Sequence, residues 1–170
     1  MRTGRSSRGH SEAGTREFAV TIAEQIVVSA RSYEGVEEDP RGSNCGPLID
    51  HWNAFAGAAK GSPWCAAFAC AMVHEARVLQ RLPPLQFLVS ASALGLLKRN
   101  AALIVDEPQP GDLIIWDHGN GHGHASIKTG PTDHIAGNTS PDGKSREGYG
   151  VFEHEYNPQD PCIAGYIRVV

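Results

Sequence analysis

Residues Gly61-Ser62-Pro63-Trp64-Cys65-Ala66-Ala67-Phe68 open a strongly apolar segment that runs to about Gln80. A stretch this long and this apolar, with a proline just ahead of it, reads as a buried helix that begins near Cys65. Pro83 and Pro84 stop it. Upstream, Phe18, Ile22, Ile26 and Val27 recur at helical spacing across residues 15–31. Residues 34–47 form a loop rich in Gly, Pro, Asn and acids, and Pro47 suits the first turn of a short helix over 48–57. Ser90 or Ser92 can cap a further helix that ends near Asn100. Beyond Asn100 the period changes to that of strands, expected at 103–105, 112–116, 124–129, 132–136, 151–156 and 163–169. The turn signals PQPGD, HGNGHG, TGPTD and SPDGK separate them. Helices first and strands second imply an α+β domain, with N-terminal helices packed on a C-terminal antiparallel sheet.

The 170 residues suit one domain able to bury a core without metal or disulfide staples. We expect residues 1–14 to be a disordered tail and 15–170 a single domain. A net charge of −4 argues against nucleic acid as a partner, since phosphate binding needs surplus Lys and Arg. No run of residues is long and apolar enough to span a bilayer, so membrane insertion is not expected. The basic N-terminus lacks the apolar stretch of a Sec signal. Cys45, Cys65, Cys70 and Cys162 match no zinc-binding spacing; a Cys45–Cys162 disulfide is conceivable, and free thiols are the default.

Three residues can carry chemistry. Cys65, at a helix start, would face free backbone N–H groups and the positive end of the dipole, which favour a thiolate. The alternative is a buried structural cysteine, the role expected of Cys70. His124 follows His118-Gly119-Asn120-Gly121-His122-Gly123 and begins the strand His124-Ala125-Ser126-Ile127. It suits a general base or is a surface histidine. Asn138, in Ile135-Ala136-Gly137-Asn138-Thr139, can orient that imidazole or is a turn residue. Trp64 is expected as a groove wall beside Cys65, and Asp117 and His118 as substrate contacts. Asp112 is expected to shape its turn.

PWCAAF, then Pro110-Gly111-Asp112-Leu113-Ile114-Ile115-Trp116, then Gly123-His124-Ala125-Ser126-Ile127, then Gly137-Asn138-Thr139 together resemble the CHAP family. These are cysteine, histidine-dependent amidohydrolases/peptidases, related to NlpC-type and papain-like enzymes. The likeness spans roughly residues 44–170, with Asn44-Cys45-Gly46-Pro47 and Arg146-Glu147-Gly148-Tyr149-Gly150-Val151-Phe152 at its ends. It implies a papain-like fold with Cys65 as nucleophile, His124 as base and acid, and Asn138 as orienter. It implies hydrolysis of amide bonds in peptidoglycan stems or cross-bridges, as amidase or endopeptidase, with no cofactor and no metal. Family members commonly carry Glu two residues before the asparagine; here that position is Ala136. An enzyme of this kind is expected to be a monomer made in the cytoplasm. It would reach the wall by phage-type or effector-type export, with an immunity or delivery protein as a possible partner. Two other readings compete. One is a catalytically silent domain that binds wall or partner. The other is a metal module built on His118, His122, His124 and His134.

Overall fold

The computed structural model describes residues 20–83, 87–143 and 148–169. The expected tail at 1–14, the Phe18 part of the first helix, and Arg146 and Glu147 lie outside the described residues. Four helices come first: α1 (Ile22–Arg31), α2 (Pro47–Phe55), α3 (Cys65–Leu79) and α4 (Ala93–Arg99). Six strands follow: β1 (Ile104–Val105), β2 (Leu113–Asp117), β3 (Gly123–Lys128), β4 (Asp133–Thr139), β5 (Gly150–Glu155) and β6 (Ile163–Ile167). They form one antiparallel sheet in the order β1-β6-β2-β3-β4-β5. The expected α+β class is the observed one.

Local chemistry sets the helix limits. Thr21 and Glu24 form a reciprocal capping box at the start of α1. Pro47 opens α2, where its missing N–H costs nothing. Of the two candidate serines, Ser92 caps α4 by accepting from the Gly95 N–H at 3.1 Å.

α3 is the centre of the molecule. Every residue from Cys65 to Val73 is buried, and the helix packs on α1, α2, β3 and β4. Leu113 and Ile115 of β2, Ala125 and Ile127 of β3, and Ile135 of β4 face it in one core, as strand alternation requires. Ile114, Trp116, Ser126, Lys128 and His134 occupy the other face of the sheet, where they too are buried. Asp112 has the structural role expected of it. It accepts from the Gln109 N–H at 2.8 Å and from Arg168 Nη2 at 2.9 Å, which joins the turn before β2 to the end of the chain.

β4 departs from the expectation. It was expected to end at 136 and instead continues to Thr139 through an irregularity between Ala136 and Thr139. Asn138 has φ of 55° there, a left-handed conformation that asparagine tolerates. The irregularity brings Gly137 against α3, where a Cβ would collide with the Trp64 ring and lie 2.8 Å from Phe68 Cβ. Gly137→Ala is therefore expected to cost about 1–3 kcal/mol by overpacking. A thermal melt should show a drop of several degrees, and an unchanged melting temperature would contradict this packing.

Candidate active site

The start of α3 lies under the sheet where the β3–β4 ladder ends. Ile127 pairs with Ile135 and Lys128 with His134, and the register goes no farther toward His124. The Ala125 N–H is directed at the Cys65 sulfur, as are those of Ala66 and Cys65 itself. The helix cap, Trp64, supplies no side-chain acceptor to the first turn. Its N–H groups thus remain available to a sulfur or an oxyanion.

The sulfur is largely enclosed. Burial pushes the Cys65 thiol above its ordinary range, against the opposite pull of the Ala125, Ala66 and Cys65 N–H groups. This corrects the expectation of a resting thiolate. Dipole and donors favour the charged form, yet desolvation at 8% exposure outweighs them. Burial also depresses His124, to about 4, with His118 and His154 adding repulsion. The resting pair is therefore a neutral thiol and a neutral imidazole across most of the pH range.

Cys65, His124 and Asn138 line one cleft of about 650 Å³, together with His118, His122 and Ser92. The turn before β3 forms one rim, its backbone closed by the His118 N–H to the His122 carbonyl at 2.8 Å. The His124 ring packs on Trp116, its cross-strand partner, at a centroid distance of 5.8 Å. Trp116 lies 5.2 Å from His134, and His134 lies 5.7 Å from His154. Aromatic packing thus fixes the rear of the imidazole.

Asn138 occupies the cleft wall, but no hydrogen bond joins it to His124 among the described residues. Its Nδ2 donates to Asn44 Oδ1 at 3.5 Å, and its buried Oδ1 has no partner. Position 136 holds a fully buried alanine. His118 lines the cleft. Two other expectations are corrected. Trp64 is no groove wall: it is fully buried, and its Nε1 donates to Glu38 at 2.9 Å. Asp117 does not line the cleft; it accepts from the Gly119 N–H at 2.8 Å and shapes the turn.

All four cysteines are free, so no Cys45–Cys162 disulfide forms. Cys70 behaves as core: it is buried, and desolvation pushes its thiol up to about 11. His118, His122 and His124 share the cleft, while His134 packs behind Trp116. Among the described residues no group of three or more His, Cys, Asp or Glu is arranged to hold a metal ion. The metal-module reading finds no such ligand set there. Sequence reasoning assigned no contact to Glu38 or to the Asn44 side chain, which meet Trp64 and Asn138 across long stretches of chain that local spacing does not encode.

No protein-family description matches the chain. No curated protein matches it either. Among solved structures, the fold is similar to that of an NlpC/P60 family protein from Bacillus cereus ATCC 10987, with a TM-score of 0.53 and 15% identity. The match covers 89% of this chain and 41% of that one, so this chain spans about two-fifths of its neighbour's length. The fold is thus an α+β arrangement like that of NlpC/P60 proteins.

The buried histidines make stability depend on pH. Burial depresses His134 to about 3 and His124 to about 4, and it also lowers His154. The unfolded chain therefore binds more protons than the folded one as pH falls below about 6.5. Stability is fully present above that pH and is lost on the way toward the folded values. The melting temperature should fall by several degrees between pH 7 and 5, above the range where most carboxylates titrate. His134→Phe should reduce that slope. A melting temperature independent of pH over this window would contradict burial of the three rings as neutral bases.

Proposed function

We propose that the chain is a cysteine hydrolase of the CHAP type that cuts amide bonds in the peptide part of bacterial peptidoglycan. One observation carries this reading. The Cys65 sulfur meets the backbone N–H of Ala125, the residue after His124, and Cys65 and His124 both line one cleft. The likeness of fold to an NlpC/P60 protein and the resemblance of the four motifs to CHAP members support the choice of substrate.

In this reading His124, neutral at rest, takes the proton from the Cys65 thiol as sulfur attacks the amide carbonyl. Helix N-terminal N–H groups receive the oxyanion. The imidazolium then gives its proton to the leaving amine as the C–N bond breaks, leaving a thioester. Water attacks the thioester, His124 takes its proton, and the carboxylic acid leaves as the thiol reforms. His124 is neutral at rest and so free to accept the proton; burial lowers its basicity, which bound substrate and the charge developing in the transition state must offset. Asn138 Oδ1 is an acceptor without a protein partner at the cleft wall. As an acceptor beside the cleft it suits the role of orienting the imidazole N–H. His118 suits a polar substrate contact on the rim. Action at the wall, by phage-type or effector-type delivery, follows from this reading. Among the described residues, no helix is long and apolar enough to cross a membrane.

Cys65→Ala and His124→Ala should each slow the clearing of purified cell walls at least about 100-fold. Mass spectrometry of the released fragments would distinguish amidase from endopeptidase cleavage. Clearing by Cys65→Ala at the parent rate would remove the proposal. Wall binding without cleavage by the parent chain would favour a silent binding domain, the reading that Ala136 in place of an acid motivates.

A further inference from the structure

We propose that Glu38 is a positioning residue for Cys65, setting the first turn of α3 and the Asn138 side of the cleft through one buried carboxylate. The inference rests on the reading of Cys65 as the nucleophile. Glu38 lies in the loop before α2 and is 5% exposed. Its Oε1 accepts from Trp64 Nε1 at 2.9 Å. Its Oε2 accepts from the backbone N–H groups of Gly42 at 2.8 Å and Asn44 at 3.0 Å. Among the described residues no Lys or Arg pairs with it.

Burying a carboxyl group without a cation is costly, and the three hydrogen bonds it accepts offset that cost. What distinguishes the group is the placement of its partners. Trp64 immediately precedes Cys65, and its ring packs between the start of α3 and Gly137 of β4, next to Asn138. Asn44, held by the other oxygen, accepts from the Asn138 side chain. The main chain repeats the link. The Glu38 N–H donates to the Tyr149 carbonyl at 2.8 Å, and the Tyr149 N–H donates to the Thr139 carbonyl at 3.0 Å. One residue thus reaches the segment before the sulfur and the strand that carries Asn138. Moving either changes how the N–H groups of Cys65, Ala66 and Ala125 meet the sulfur.

The test is the pH dependence of iodoacetamide alkylation at Cys65 in the full chain, read by peptide mass mapping under conditions where circular dichroism shows each variant folded. It needs no cell-wall substrate, so it can fail while the hydrolase reading stands, and the reverse. Glu38→Gln keeps the size of the side chain and turns an NH2 group toward the donors. It should slow alkylation at fixed pH about tenfold, as displaced donors do, and move the profile to higher pH. Trp64→Phe removes one donor and leaves the carboxylate; it should move the profile less, in the same direction. A carboxylate that only stabilises the fold would lower the melting temperature of Glu38→Gln and leave the profile per folded molecule unchanged. That result would overturn the proposal. Should Glu38→Gln fail to fold, an unchanged profile in Trp64→Phe would overturn it equally.

Discussion

The rest of the site depends on how the first turn of α3 meets the sheet. A helix N-terminus presents N–H groups that nothing inside the helix can satisfy, and here no side chain caps them. A sheet interior normally leaves no N–H unpaired. At Ala125 the two conditions meet, because the β3–β4 ladder stops short of it and the cysteine sulfur lies against its N–H. The irregularity in β4 belongs to the same arrangement. It ends regular pairing, turns Asn138 into the cleft wall and seats Gly137 on Trp64. A β4 with regular pairing would close this opening.

The electrostatics follow from that enclosure. Low solvent access raises the thiol and depresses the imidazole, so neither group is charged at rest. A neutral pair avoids the cost of burying an ion pair whose remaining hydrogen bonds would go unmade. In the proposed hydrolase it would also place the whole proton transfer within the reaction, where a bound amide would supply the electrophile. The stack of Trp116, His134 and His154 behind the imidazole gives orientation by packing.

Much of this was legible in the sequence. Periodicity placed the strands and the later helices within a few residues, because the helix face and the strand alternation both answer to one core; the first helix, expected from 15, starts only at Ile22, where the Thr21 cap sets its limit. The motifs placed Cys65, His124 and Asn138 on segments that do share a cleft. Three features escaped for physical reasons. Trp64 was expected beside the substrate because it adjoins Cys65; successive residues of a helix start point different ways, and this one points into the core. Asp117 was expected at the substrate because it follows a strand, and its carboxylate instead satisfies a backbone N–H of its own turn. The thiol was expected to be acidified by its helix, because the dipole is visible in a sequence and the depth of burial is not. The links from Glu38 to Trp64, and through Asn44 to Asn138, join segments far apart in the chain, and no local pattern announces them.

The proposed hydrolase requires Cys65 and His124 to act as one neutral pair in a shared enclosure. The most direct measurement of this pairing is the titration of the His124 imidazole by nitrogen NMR, before and after Cys65 is capped with a neutral alkylating reagent. The account predicts a midpoint near 4 in the free protein and a clear displacement of the ring signals on capping. An imidazole that titrates near its ordinary value of about 6.5, with signals indifferent to the state of the sulfur, would contradict it.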